Sequence, residues 1–186
     1  MGEDDVRSDL MNQFSELRPQ MLALSGSSPF WQGQDTGLSS YRLTIFDNLP
    51  RTGLPPRLSS YSEFRRSVQA IIDTGAIEDA TKIWWDLRPS GRFPTLETGI
   101  MDVCTRMEDA IALAALVCCI MRMLYRLRLA NQRWRLYTTM LIQENRWRAM
   151  RYSFDEGLID FAKGAVVPFE DLLEEILELI AEDAEA

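Results

Sequence analysis

Histidine is absent from this 186-residue chain. That removes imidazole bases, histidine metal ligands and the Ser/His or Cys/His pairs of nucleophilic catalysis. Cysteine is scarce. Cys104, Cys118 and Cys119 are an odd number with two adjacent, which suits neither a disulfide framework nor a Cys-x-x-Cys metal site. They read as small buried hydrophobes in a reducing, cytoplasmic setting. No Gly-x-x-x-x-Gly-Lys-Ser/Thr or Gly-x-Gly-x-x-Gly occurs, so any nucleotide is held without a P-loop or a Rossmann turn. The acidic N-terminus lacks a signal-peptide pattern. The most apolar run, Ala110 to Met121, has about half of the roughly 20 residues that span a bilayer, and reads as a core helix. No membrane partner is expected.

Positive charge is in the minority, 20 Lys and Arg against 28 Asp and Glu. The net charge of -8 argues against general attraction to nucleic acid. The charge is unevenly spread. Nine arginines lie between Arg106 and Arg151, and eight acids with no base between Glu170 and Ala186. Arg and aromatics interleave in "MRMLYRLRLANQRWRLY", a pattern also used on single strands. The acidic tail offers these arginines partners within the chain, so the structural reading is preferred over a nucleic-acid partner.

What is present reads as one α+β domain. A helix capped near Ser8 buries Leu10, Met11, Phe14 and Leu17 and bends at Pro19. Ser25–Gly37 is a loop pinned to the body by Phe30 and Trp31. Ser40–Phe46 reads as a strand by its Tyr, Thr and Ile content. Ser60 and Glu63 form a capping box for a helix through Phe64, Val68, Ile71 and Ile72 that stops at Gly75. Two strands, Ile83–Arg88 and Thr95–Met101, flank a turn. From there the chain reads as helical: one helix capped by Thr105 and Glu108, one holding Trp134, Tyr137 and Leu141, and one starting at Pro168. The division is a strand-containing part, 1–103, and a helical part, 104–186.

Strand alternation puts Trp84, Asp86 and Arg88 on one face, and Thr95, Glu97 and Gly99 on one face of the second strand. If the strands pair, Asp86, Arg88 and Glu97 can meet. Two readings stay open. The cluster is either a structural ion-pair group at a sheet edge or a place where carboxylates hold Mg²⁺ and a guanidinium holds a phosphate.

Three stretches, "ALSGSSPFWQGQDTGLSSYRLTIFDNLPRTGLPP", "IWWDLRPSGRFPTLETGIMDVCTRMEDAIALAAL" and "NQRWRLYTTMLIQENRWRAMRYSFDEGLIDF", resemble the bacterial glutamate–cysteine ligase type 2 family. Its members are also described as ATP-dependent carboxylate–amine ligases. The resemblance runs from about Asp9 to Asp183 and covers only the C-terminal portion of the family's proteins. It implies part of a glutamine-synthetase-like fold, a short antiparallel sheet with segregated helices. It also implies ATP and Mg²⁺, small-molecule substrates (glutamate, with cysteine or another amine), and amide formation through an acyl phosphate. Glu97, in "PTLE", would be the metal ligand, Arg88 the catalytic cation, and Arg42 and Asp86 substrate-binding groups. One departure stands out: where the family reads Glu-x-Arg, this chain has Gly99. The alternative is an inactive truncated remnant, or one half of a split ligase. Unpaired strand edges and an amphipathic tail helix leave a homo-oligomer open.

Overall fold

A computed structural model describes residues 3–185, with the backbone only of Glu3. The chain is α+β, but its strands do not make one sheet. Among the described residues they form four separate two-stranded ladders alongside seven α-helices.

The first helical stretch comes in three pieces: α1 (Glu3–Phe14), a 3₁₀ turn (Ser15–Leu17) and α2 (Arg18–Ser25). Pro19 sits in the first turn of α2, where its missing N–H costs nothing. Ser8 lies inside α1 and is not its cap, because helix begins upstream at Glu3. Met11, Phe14, Met21 and Leu22 are fully buried and form the middle of the core. The next loop carries a tight hairpin, β1 (Phe30–Trp31) and β2 (Gln34–Asp35). Its aromatics do not pin it down. Phe30 is 66% and Trp31 46% exposed, and only Trp31 finds a ring partner, Tyr41.

The segment expected as a strand at Ser40–Phe46 is a short helix, α3 (Arg42–Phe46). Its β-prone residues are outvoted by tertiary hydrogen bonds, as happens readily in so short a segment. Ser28 Oγ accepts from Arg42 N–H, and Thr52 Oγ1 donates to the carbonyls of Phe46 and Leu49 beyond the last turn. A residue pair, β3 (Thr52–Gly53), then runs parallel to β4 (Trp84–Trp85).

Helix α4 (Tyr61–Asp73) starts as its sequence predicts: Ser60 Oγ accepts from Glu63 N–H, and Phe64 and Val68 are buried. The Glu63 carboxylate closes the box on Ser59, accepting from its N–H and its hydroxyl. Gly75, at φ +75°, ends the helix in the left-handed region that favours glycine. The two strands expected next do pair, as β5 (Leu87–Pro89) and β6 (Leu96–Thr98), antiparallel with Arg88 opposite Glu97. The first is interrupted at Asp86, which separates β4 from β5.

Helix α5 (Met107–Leu129) follows. Thr105 does not cap it; Arg106 is the N-cap and makes no side-chain capping bond. Glu108 and Asp109 in the first turn and Arg126 and Arg128 in the last complement the helix dipole. It is not a core helix in the full sense. Leu113, Ile120, Met123 and Leu124 are buried on α1 and on the last helix, yet only 22% of its most apolar 18-residue window is buried. By length and composition it could cross a membrane, a test that core helices of globular proteins also pass.

Helix α6 (Thr139–Tyr152) begins later than its aromatics suggest. Trp134 and Tyr137 lie in the irregular run before it, the Trp134 backbone N–H donating to Gln13 Oε1 and Tyr137 packing its ring on Phe161. The C-terminal part is not wholly helical: β7 (Leu158–Asp160) and β8 (Ala165–Val167) form a hairpin. Asn145 of α6 holds it by giving and accepting a bond at Ile159. Gly157 makes the hairpin possible. Its φ is +66°, and a Cβ there would lie 2.1 Å from the Val167 carbonyl oxygen. Pro168 then caps α7 (Phe169–Ala184).

The acidic tail and the arginine-rich segment do meet. Arg126 pairs with Asp183 at 2.7 Å and with Glu182 at 3.5 Å, and Arg135 pairs with Glu175 at 2.7 Å.

Candidate functional site

Helix α3 and the ladders β3–β4 and β5–β6 converge on a cleft of about 380 Å³ lined by Arg42, Phe46, Trp84, Asp86, Arg88 and Gly99, among others. It therefore gathers three of the four residues nominated from sequence. Glu97 stands beside it, lining a neighbouring hollow of about 300 Å³ with Arg88. What separates the four is how far each is already bonded.

Arg42 is heavily engaged. Its Nε donates to Asp102 at 2.9 Å, and its Nη2 donates to the carbonyls of Gly99, Ile100 and Met101 at 2.7–2.9 Å. The guanidinium also lies over the Phe46 ring, 5.2 Å from its centre. Its observed work is to hold the 99–102 turn against α3. Asp102 was not singled out by sequence reasoning, yet it is the hub of this corner. It is buried, and it accepts from Ser27 N–H, the hydroxyls of Ser28 and Ser40, and Arg42. Burial alone would raise its pKa; the bonds from Ser28, Arg42, Ser27 and Ser40 outweigh that and hold the carboxyl below its usual range. The available signal was the set of serines 62–75 residues upstream, which no local pattern connects to it.

Asp86 is nearly buried, and both of its oxygens face Arg146, at 2.7 and 3.4 Å. Arg146, 1% exposed, grips Asp47 with its other edge in two bonds of 2.8 Å. Burial works against the Arg146 charge, but the Asp47 bond and the Asp86 charge overcome it, so its pKa is raised. A second buried cation, Arg18, feels the same carboxylate. Burial pulls its pKa down to about 10, opposed by Asp86 and reinforced by Arg146. Asp86 is thus clamped from behind, while its backbone N–H and C=O tie Gly53 and Gly99 into the cleft wall.

Arg88 and Glu97 face each other across β5–β6, as the strand register predicts. Arg88 Nε and Nη2 both donate to Glu97 Oε2, at 3.1 and 2.9 Å. Each side chain keeps a free end. Among the described residues Arg88 Nη1 and Glu97 Oε1 have no hydrogen-bond partner, and the side chains are 24% and 44% exposed. Asp86 does not join them, because Arg146 claims it. A Cβ on Gly99 would sit 3.5 Å from Arg88 Nη1, an ordinary contact at an unstrained backbone position. A larger side chain there would therefore point toward the free end of Arg88.

Metal chemistry can be tested against the donor set. A Mg²⁺ ion takes six oxygen ligands, usually from one or two carboxylates together with water and substrate phosphates. Glu97 offers one oxygen, and among the described residues no group of three Asp, Glu, Cys or His side chains is close enough to hold an ion. The residues present do not form a metal site by themselves.

Comparison with known proteins gives this corner a family. A protein of Rhodospirillum rubrum named "Putative glutamate--cysteine ligase 2" is 61% identical over 182 residues, 98% of this chain and 47% of its own length. Proteins of the same name from Jannaschia sp. (strain CCS1) and Paracoccus denitrificans are 61% and 59% identical over 186 residues. These matches cover all of this chain and 49% and 50% of those proteins. The chain thus spans about half the length of the curated relatives it matches, in keeping with their C-terminal portion. Neither comparison favours the alternative of an inactive remnant. The sequence profile of glutamate–cysteine ligase family 2 matches residues 2–186, and the chain belongs to that family.

Proposed function

We propose that this chain carries part of the active site of a cytoplasmic ATP-dependent carboxylate–amine ligase of the glutamate–cysteine type. In this reading ATP transfers its terminal phosphoryl group to the substrate's side-chain carboxylate, releasing ADP. The amine then attacks the acyl carbon, and phosphate leaves as the amide forms. Both steps gather negative charge at the transferring group, so the enzyme must present fixed cations there.

The observation that carries the reading is Arg88. Glu97 takes two of its donors and fixes the guanidinium plane, and the third nitrogen is left free at the edge of a cleft. That is a preorganised donor for a carboxylate or phosphate oxygen, bonded on one side and open on the other. Arg42 and Asp86 shape the cleft wall in this reading. Magnesium would enter only as the ion that accompanies ATP, and Glu97, with Oε1 unbonded among the described residues, is the carboxylate this chain could offer it.

The test is amide and ADP formation from Mg-ATP, glutamate and cysteine, with this chain joined by the half of the Rhodospirillum rubrum relative that it does not span. One ADP per amide, reduced about 10²-fold or more in Arg88→Ala, is the expected result. ADP release that ignores the amine, or amide formation indifferent to Arg88→Ala, would refute it.

A further inference from the structure

Helix α5 is apolar on two sides, and the described structure covers only one of them. Leu113, Ile120, Met123 and Leu124 face α1 and α7. On the opposite side Met107, Ile111, Ala114, Cys118, Tyr125 and Leu129 recur at steps of four, three, four, seven and four residues. At 3.6 residues per turn they fall within an arc of about 60°. All six are exposed, Met107 by 76%, Ile111 by 62% and Leu129 by 71%. These positions form one stripe rather than a scatter of surface hydrophobes, bordered by the exposed Arg122 at the turn between Cys118 and Tyr125. Val103, 84% exposed just before the helix, extends it. A helix that is apolar all round is written for burial on all sides.

Two further facts say what belongs on the open side. The relatives are about twice as long as this chain, and the remainder has to pack somewhere on the half that is present. The middle of the stripe is also small, Ala114 and Cys118, flanked by larger residues, which lets another element approach the helix axis closely. The three arginines of the last two turns, Arg122, Arg126 and Arg128, make a bilayer a poorer cover for the whole helix.

We infer that the outer stripe of α5 is the seat of the half of the ligase that this chain does not span, whether that half is carried on the same polypeptide or on another. The inference rests on family membership and on the stripe, not on the reaction proposed above. Its test is therefore one of assembly. The seat explains why a helix with few charges in its first five turns remains uncovered here.

The chain is co-expressed with the affinity-tagged remaining half of the Rhodospirillum rubrum relative and captured through the tag. A one-to-one complex is expected. Ile111→Glu and Ala114→Glu should each lower capture at least tenfold while leaving the melting temperature of the chain alone unchanged, since both positions are exposed. Leu177→Glu, at an exposed apolar position on α7 outside the stripe, should be captured normally. As a measurement free of substitution, Cys118 should be alkylated by iodoacetamide in the chain alone and protected in the complex. Absence of a complex, capture indifferent to the stripe variants, or Cys118 equally reactive in both states would overturn the inference. So would stripe-dependent flotation with phosphatidylcholine–phosphatidylglycerol vesicles, or a stripe-dependent homodimer, since each puts a different occupant on the seat.

Discussion

Removing Arg146 should unfold the cleft from behind, and the cost can be worked from its two partners. Arg146 is 1% exposed and sits between Asp86, 5% exposed, and Asp47, 35% exposed. In Arg146→Met the apolar stem is kept and the charge is lost. Asp47 can recover its lost bonds from water, so its share is small. Asp86 cannot, because its carboxylate is out of solvent and, among the described residues, the other cation that feels its charge is the buried Arg18. Breaking a buried pair from one side in this way costs about 3–5 kcal/mol. The partners then give an ordered series. Asp86→Asn should cost about 2–4 kcal/mol, since it takes the opposing charge from buried Arg18 and leaves Arg146 with Asp47 alone, and Asp47→Asn should cost about 1 kcal/mol or less. Urea unfolding followed by tryptophan fluorescence and circular dichroism measures all three. The Arg146→Met/Asp86→Asn double variant should lose less than the sum of the singles, because the second change removes the charge that the first one stranded. Equal costs for Asp47→Asn and Asp86→Asn, or strict additivity of the double variant, would refute the claim that burial decides which half of the clamp matters.

Other expectations follow from single positions. Gly157→Ala forces a methyl to within 2.1 Å of the Val167 carbonyl oxygen at φ +66°, so it should cost more than about 2 kcal/mol by urea unfolding. Gly99→Ala has ordinary contacts and no positive φ, so the same measurement should find it within about 1 kcal/mol of the parent, on either side. Glu16 gives a pH signature. Burial, opposed by Arg135 and Trp134 and supported by Glu175 and Asp160, raises its pKa to about 7. Below about pH 4.5 it is protonated folded and unfolded alike and imposes no penalty. As pH rises to 7 the unfolded chain ionises first, stability falls, and the penalty is complete above 7. Glu16→Gln should therefore stabilise at pH 8, by about 3 kcal/mol at most, and do little at pH 4.5, as thermal melts at the two values would show. Asp102 has the opposite sign. Its lowered pKa stabilises the fold above about pH 4 and that contribution is lost as acid protonates it, so Asp102→Asn should erase part of the acid dependence of a pH titration of stability.

Periodic features were legible in the sequence. The helices around Phe64 and Leu113 and along the tail follow the 3.6-residue repeat, and the Ser60 cap and the Pro168 start are where their residue types put them. The Arg88–Glu97 facing pair follows from strand alternation and a turn between. Features decided by distant partners were not legible. α3 is helical because Ser28 and Thr52 complete its ends. The β7–β8 hairpin rests on Asn145, and its two glycines signal turns without naming strands. The apolar run at Ala110–Met121 marked a helix correctly, but its reading as a core helix does not hold, because only one of its apolar sides is covered among the described residues.

The nominated residues show why the same limit applies to function. Alternation placed Asp86, Arg88 and Glu97 on one face and treated them as equals. In the fold they are ranked by competition for partners 57–60 residues away, which no local pattern encodes. Arg146 takes Asp86, and Asp102 with three carbonyls takes Arg42. Only the Arg88–Glu97 pair has a partner so close in the chain that each leaves the other half-satisfied and open to the cleft or its neighbour. A group held on one side and free on the other can meet a ligand without first breaking a buried ion pair, which would cost several kcal/mol by the arithmetic of the Arg146 clamp. On that ground a ligand anion should be felt first at Arg88. Titrating pyrophosphate while observing the guanidinium resonances should shift those of Arg88 and leave those of Arg146 in place. A shift at Arg146 with Arg88 unmoved would reverse the ranking.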